Sequence, residues 1–156
     1  MALRMARLIN LLLASVLVGN EFGSWAAVHP SLGTLPTKAQ VQAEQAVTRR
    51  YGALMPFLMA GTVVSCIPVL SLVRDRRSAA FRATVAGMGC FLAMLGVTFG
   101  GNMPINRRVL GASPDAPPAD WRELRARWDR LHALRNALNF AGLGLLLLGT
   151  LSDERG

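Results

Sequence analysis

Charged side chains are scarce in this sequence. Only 17% of its 156 residues are charged, whereas 52% are hydrophobic. So low a charge content excludes a chain that is mainly a disordered acidic or basic tail, and it disfavours an ordinary soluble enzyme. We therefore expect many of the apolar residues to face lipid rather than water.

Cysteines and familiar catalytic motifs are also few. The two cysteines, Cys66 and Cys90, each lie within an uncharged stretch, so a disulfide framework is not expected. The sequence has no glycine-rich phosphate loop, no cysteine pair at zinc spacing and no nucleophile elbow, which disfavours nucleotide-dependent and hydrolytic functions. The net charge is +8, but the basic residues form short clusters without interleaved aromatics. We therefore predict no nucleic-acid partner.

The uncharged stretches divide the chain into four candidate spans. A bilayer core about 30 Å thick needs about 20 consecutive apolar residues of helix. Residues 51–73 and 83–106 contain no Asp, Glu, Lys or Arg, and two weaker candidates lie at 8–28 and 136–152. Four helices close naturally into a bundle. The sequence thus predicts one all-α domain, 1–156, an up-and-down bundle of four transmembrane helices with spans near 6–28, 51–73, 80–102 and 130–151.

Polar helical segments precede the second and fourth spans. Thr37 follows a proline and is predicted to cap a polar helix over 38–50. Asp120 and Glu123 have the spacing of a capping box and predict a second helix start. We expect both segments to be amphipathic extensions of the spans. Four arginines of the second extension are predicted to form a solvated face: Arg122, Arg125, Arg127 and Arg130. Within this face, Arg125 is expected to pair with Asp129.

Arginine clusters predict the orientation in the membrane. They precede the first span and fill the short segment 74–82 between the second and third spans. Because dense positive charge in short loops marks the cytoplasmic side, we predict a multi-pass protein of the cell membrane with both termini in the cytoplasm. The long arginine-containing segment 102–130 argues for the opposite orientation. As an alternative, residues 4–18 resemble a secretory signal, whose cleavage near 24–27 would leave three spans.

Polar residues gather at one end of the predicted bundle. In an up-and-down bundle, the ends of the first and third helices share a membrane face with the starts of the second and fourth. Polar groups in membrane helices are costly and usually mark a partner or a functional site. On the fourth helix, the candidates are Trp128, His132, Arg135 and Asn139. Their spacings of four, three and four residues place them on one stripe of the helix. The candidate site residues are Glu21, His29, Tyr51, Asn102, Asn106, Trp128, His132, Arg135 and Asn139.

Simpler interpretations exist for the individual residues. Arg135 has the reach to pair with Glu21 or to extend to the interface without a catalytic role. Asn102 and Asn106 are typical of residues that cap a helix end. His132 alone is compatible with a satisfied interfacial histidine. Only the convergence of these residues at one end of the bundle indicates a site.

The third and fourth spans carry a recognisable combination of motifs. An Asn-Met-Pro-Ile-Asn element at 102–106 is followed by a proline-rich loop and then by Trp128, His132 and Arg135. With His29-Pro30 after the first span, this resembles the anthrone-oxygenase-like family of small four-helix membrane proteins. The resemblance implies an oxygenase that converts an anthrone, a fused aromatic polyketide, to an anthraquinone with dioxygen and without a cofactor. The implied partners are a small apolar aromatic substrate and the bilayer, with a homo-oligomer as an option.

The residues suggest how such a reaction would proceed. His132, as an imidazole with an unperturbed pKa of about 6.5, is the candidate base that removes a proton from the carbon to be oxidised. Arg135, Asn102 and Asn106 are the candidates for stabilising the resulting enolate. Trp128 and Tyr51 are expected to stack on the substrate rings, with Glu21, His29 and Asn139 completing the binding site.

Two other functions remain open at this point. Glu21, His29 and His132 have the ligand types of a two-histidine, one-carboxylate metal site, and the two histidines alone have those of a haem site. A third hypothesis, from a different class, is a non-catalytic bundle that binds a lipid or quinone or serves as a subunit of a larger complex. A well-formed cavity lined by the polar stripe favours an enzyme or a binder, whereas a closed bundle favours a subunit.

Overall fold

The computed structural model describes residues 1–153 and consists of four long helices in that part of the chain. Each is long and apolar enough to cross a membrane, which confirms the predicted all-α, four-helix architecture. The crossing segments within the helices and the orientation of the bundle stay predictions. The helices are α1 (Ala2–Gly33), α2 (Thr37–Leu72), α3 (Ala79–Gly111) and α4 (Trp121–Asp153).

The prediction that Thr37 caps α2 is wrong, whereas the predicted cap at Asp120 stays a prediction. α2 begins at Thr37 itself, with Pro36 in the cap position and no capping hydrogen bond from a side chain. At the start of α4, Nη2 of Arg108 lies 3.0 and 2.9 Å from the two carboxylate oxygens of Asp120. The Asp120 carboxylate therefore ties the end of α3 to the loop before α4.

The first and third helices each contain a π-helical turn, over Ser24–Val28 and Thr98–Asn102. A proline follows each turn, Pro30 in α1 and Pro104 in α3. Proline has no N–H, and its ring displaces the carbonyl four residues earlier. The residue before each proline donates its N–H to the carbonyl five residues back, so the wider turn absorbs the disturbance and the helix continues.

The two π-helical turns share a sequence pattern that the hydropathy analysis does not detect. Residues 24–30 read Ser-Trp-Ala-Ala-Val-His-Pro, and residues 98–104 read Thr-Phe-Gly-Gly-Asn-Met-Pro. Both segments place a hydroxyl residue, an aromatic ring, two small residues and a proline at the same positions. π-helical turns occur often at functional sites, and both of these lie at the polar end of the bundle.

The helices pack in a ring in which each contacts the next and α1 closes against α4. α3 and α4 approach closely where Gly87 faces Gly142. A Cβ atom added to Gly87 would lie 3.0 Å from the carbonyl oxygen of Gly142, so only glycine fits this crossing without a shift. The core of the ring is apolar and includes Leu17, Met59, Phe91, Met94 and Leu146.

Large apolar side chains also cover the outside of the bundle. Leu12, Phe57, Leu92 and Leu148, one from each helix, are all close to half exposed or more. Buried polar residues, by contrast, lie inside the ring. Because an apolar outer surface would be costly in water, this distribution is the one expected of helices surrounded by lipid.

Candidate active site

A cavity of about 320 Å³ lies at the polar end of the bundle. α2 contributes Tyr51, Met55 and Met59 to its apolar wall, and α3 contributes Leu95 and Phe99. Phe99 lines the cavity and is also 61% exposed on the outside of the bundle. The cavity therefore opens sideways between α2 and α3 onto the apolar outer surface. Its volume is at the small end of ligand pockets, which span about 300–1,000 Å³.

Seven of the nine predicted site residues line this cavity. They come from all four helices and are Glu21, His29, Tyr51, Asn106, Trp128, His132 and Arg135. The other two, Asn102 and Asn139, are fully buried and are not among its lining residues in the described part of the chain. The Asn102 amide donates to the backbone oxygen of Trp128 at 3.3 Å, so Asn102 holds α3 against α4 instead of contacting the cavity.

Glu21, His132 and Arg135 form a buried cluster at the inner end of the cavity. Each is at most 5% exposed. The Arg135 guanidinium donates to Oε1 of Glu21, and Nε2 of His132 lies 3.1 Å from Oε2 of the same carboxylate. The expected pairing of Arg135 with Glu21 is thus present, but within the cavity wall rather than at the surface. The guanidinium balances the charge of the carboxylate where water is excluded.

This cluster favours one tautomer of His132, because Nε2 lies close to Oε2 of Glu21, a carboxylate oxygen that has no hydrogen-bond partner among the described residues. An ionised carboxylate only accepts hydrogen bonds, so the neutral imidazole places its hydrogen on Nε2, facing Glu21. Nδ1 is then an acceptor. It is buried and has no hydrogen-bond partner among the described residues. His132 therefore presents a basic lone pair inside the protein, as required of a general base. Nε of Arg135 is likewise a buried donor with no partner in residues 1–153.

His29, Glu44 and Arg125 form a second buried cluster. Nη2 of Arg125 lies 3.0 Å from Oε1 of Glu44 and 3.1 Å from Nδ1 of His29. Glu44 is 1% exposed, and the Arg125 guanidinium also lies 4.6 Å from the centre of the Trp128 ring. The site thus contains two sets of carboxylate, guanidinium and imidazole, both of which contact Trp128.

The prediction that Arg125 belongs to a solvated face is wrong. Arg125 is only 7% exposed, although its predicted contact with Asp129 does form at 3.6 Å. Arg122, Arg127 and Arg130 are exposed as predicted. The sequence signal was present, because Arg125 lies three residues before Trp128 and so continues the polar stripe of α4 toward the loop.

Glu44 is a site residue that the sequence analysis missed. It lies on the same face of α2 as Val41, Thr48 and Tyr51, at spacings of three and four residues. Among these four residues, Glu44 alone is charged, and this pattern would have identified it as a candidate site residue. Its partner Arg125 lies 81 positions further along the chain, and no local rule connects the two.

Trp128 packs against both histidines, which also contact each other edge to face. Its ring centre lies 4.2 Å from that of His29 and 4.5 Å from that of His132. The two imidazole centres are 5.7 Å apart. Nε1 of Trp128 donates to Oδ1 of Asn106 at 2.7 Å, so the ring is held in place from α3. Trp128 and the histidines therefore form a fixed aromatic wall.

Comparison with known families shows where this chain belongs. A family model described as anthrone oxygenase matches residues 44–145, more than half of the chain. The chain belongs to the anthrone oxygenase family. No curated protein and no solved structure gives a match.

The family match locates part of the site in this anthrone oxygenase family member. It includes Glu44, Arg125, His132 and Arg135, whereas the segment that supplies Glu21 and His29 precedes it. Both histidine clusters therefore combine two residues inside the matched region with one outside it. The membership supports an oxygenase family, and the cavity provides the place where its chemistry would occur.

Proposed function

We propose that this protein is a membrane-embedded oxygenase that converts an apolar, anthrone-like aromatic compound to a quinone with dioxygen and without a resident cofactor. The observation that carries the proposal is the apolar cavity lined by His132, Glu21 and Arg135, in which Nδ1 of His132 is buried and has no hydrogen-bond partner among the described residues. Family membership supports the same class of reaction.

The first step is the removal of a proton from the methylene carbon of the anthrone. Nδ1 of His132 accepts the proton, and the Glu21 carboxylate at 3.1 Å from Nε2 stabilises the imidazolium that forms. The electron pair of the broken C–H bond moves into the ring system and onto the carbonyl oxygen, which gives an aromatic enolate. Arg135 and Asn106 line the same cavity and carry N–H groups that stabilise negative charge on the substrate.

The second step joins the enolate carbon to dioxygen. The carbanion is oxidised, dioxygen is reduced to the peroxide level, and a C–O bond forms. The peroxide oxygen takes back the proton from the His132 imidazolium. Neutral His132 then removes the second C–H proton, the O–O bond breaks, a C=O bond forms, and the departing hydroxide is protonated to water. The methylene group and one dioxygen thus give one carbonyl and one water.

The sideways opening suits a substrate dissolved in the membrane. The mouth lies between α2 and α3, beside Phe99, where an apolar aromatic would partition before binding. We place the bundle in the cell membrane with both termini in the cytoplasm, because the short arginine-rich turn 73–78 is typical of a cytoplasmic loop. This turn lies at the end of the bundle opposite the cavity. The cavity then lies toward the other face of the membrane.

The arrangement of the two histidines does not favour the metal or haem alternative. His132 faces Glu21, while Nδ1 of His29 faces the Arg125 guanidinium, which would repel a cation. Within residues 1–153, no group of three or more His, Cys, Asp or Glu residues is arranged to hold a metal ion. The cavity does favour the second alternative in part, because a protein that binds a quinone without converting it would need the same apolar walls.

Oxygen uptake by the purified protein tests the proposal. The protein in detergent is mixed with anthrone, and dioxygen consumption and quinone absorbance are recorded together. We expect one quinone per dioxygen, at a rate above that of protein-free micelles. His132→Ala should reduce this rate to background, whereas replacing the exposed Arg127 with Gln should leave it unchanged. Binding of anthrone without oxygen uptake would contradict the enzyme and support the non-catalytic binder.

A further inference from the structure

The second buried cluster contains a histidine whose orientation is fixed but whose role the proposed reaction leaves open. His29 lines the cavity, and its imidazole centre is 5.7 Å from that of His132. Two charged residues from other helices, Glu44 and Arg125, are buried beside it. Burying a carboxylate and a guanidinium costs free energy, so their placement around one neutral ring needs a reason.

Arg125 determines which nitrogen of His29 carries the hydrogen. The guanidinium remains protonated in proteins and has donors only. Its Nη2 lies 3.1 Å from Nδ1 of His29, closer than the Glu44 oxygen at 3.4 Å. A hydrogen on Nδ1 would point at a guanidinium N–H, so Nδ1 is the acceptor. The hydrogen of the neutral ring is then on Nε2.

The two histidines are therefore held in opposite roles. Glu21 holds the hydrogen of His132 on Nε2 and leaves a basic Nδ1 on the side away from the carboxylate. Arg125 holds the hydrogen of His29 on Nε2 and leaves a donor on the side away from the guanidinium. One ring is prepared to accept a proton and the other to donate a hydrogen bond. Environments that assign different roles to like residues identify acid and base partners in a site.

The π-helical turn of α1 places His29 for this role. His29 directly follows the turn Ser24–Val28, and its N–H bonds to the carbonyl of Ser24, five residues back. A π-helical turn accommodates one extra residue, so it rotates the next part of the helix by roughly 100° relative to an uninterrupted α-helix. Pro30, which has no N–H, directly follows His29 and fits this widened turn. The position of His29 is therefore built into the backbone.

We infer that His29 is a second catalytic residue, whose Nε2–H donates to the oxygen that becomes negatively charged when His132 removes the substrate proton. In an anthrone, that oxygen lies across the central ring from the methylene carbon. Base and donor must therefore act on different atoms of the substrate, and the two imidazoles, with centres 5.7 Å apart, are two separate groups at one end of the cavity. Arg125, held by Glu44, is a positioning residue that keeps the lone pair of His29 off the oxyanion. This inference rests on the proposed function for the identity of the substrate.

Binding of 1-naphthol tests the donor without requiring turnover. Naphthol mimics the neutral enol, its anion mimics the enolate, and the two differ in absorbance. At a pH where naphthol in protein-free micelles is mostly neutral, the wild-type protein should bind it largely as naphtholate. His29→Phe removes both ring nitrogens and should lower the bound ratio of naphtholate to naphthol by about tenfold or more. His29→Gln restores an N–H donor and should recover most of the ratio.

Two arginine variants test the positioning role. Arg125→Gln should lower the naphtholate ratio, because Nδ1 of His29 loses the donor that fixes its tautomer. Arg122→Gln, on an exposed position of the same helix, should not change it. Circular dichroism and the unfolding midpoint establish that each variant is folded. His29→Gln keeps the test decisive if the phenylalanine variant unfolds.

The outcomes separate this inference from the proposed function. A wild-type protein that binds only neutral naphthol, or a His29→Phe variant with the wild-type ratio, overturns the role of His29. Anthrone turnover is measured on the same preparations. Turnover with naphtholate binding independent of His29 overturns the inference alone. Naphtholate binding that depends on His29, in a protein without anthrone turnover, overturns the proposed function alone.

Discussion

The charges of Glu21 and Arg135 should be strongly coupled, and a double-mutant cycle measures this coupling directly. Glu21 is 2% exposed and Arg135 is 5% exposed, so water does not solvate either charge. Removing one partner of a buried pair leaves the other charge uncompensated, which typically costs about 3–5 kcal/mol. We expect Glu21→Gln and Arg135→Gln each to lower the free energy of unfolding by about this amount.

The double variant should be less damaged than its two parents imply. With both residues replaced by Gln, no isolated charge remains, and the two amides can bond to each other. We therefore expect its loss of stability to be close to that of one single variant. The coupling energy then equals the loss of one single variant, about 3–5 kcal/mol, which is at or above the upper end of the usual range. Replacement of the exposed Arg122 with Gln should change stability by less than about 0.5 kcal/mol.

Reversible unfolding in mixed micelles, followed by circular dichroism, supplies the four free energies of the cycle. The order of stabilities is the decisive result. If each single variant loses less than about 1 kcal/mol and the losses add in the double variant, the pair is solvated, as for surface salt bridges. The buried cluster around Glu21 would then be wrong, and with it the assignment of the His132 tautomer.

Two further predictions concern packing and access to the cavity. Gly87→Ala should lower stability by about 1–3 kcal/mol because its Cβ would lie 3.0 Å from a backbone oxygen of α4. Gly89→Ala should not lower stability, since the space around Gly89 is open. Thermal unfolding compares the two variants, and equal midpoints would contradict the close crossing. Ala60 lines the cavity, so Ala60→Trp should raise KM for the aromatic substrate at least about tenfold. Ala53→Trp, at an exposed position that does not line the cavity, should not raise KM. A normal KM for the Ala60 variant would show that the substrate enters elsewhere.

The helices and most of the site were predictable because they depend on local patterns. The absence of charge from 51–73 and 83–106 is enough to predict two spans. Topology then brings the ends of the helices together, so His132 and Arg135 could be expected near Glu21 from the sequence alone. Seven of nine candidates line the cavity for this reason. Helix direction and residue spacing were sufficient to place them.

The remaining features depend on contacts between distant parts of the chain. Glu44 and Arg125 are 81 positions apart, and each alone looks like a solvated surface charge. Only their mutual neutralisation makes burial of both acceptable. The π-helical turns were missed for another reason. A proline inside a helix predicts a bend, but whether the helix breaks, kinks or widens depends on the packing around it.

Proton exchange at the substrate carbon tests the central claim most directly, because it isolates the action of His132 from dioxygen chemistry. Anthrone is incubated anaerobically in D₂O with the protein, and deuterium in its methylene group is followed by mass spectrometry. We predict that the wild-type protein accelerates this exchange above the rate in protein-free micelles and that a folded His132→Ala variant does not. Exchange by that variant at the wild-type rate would contradict the account.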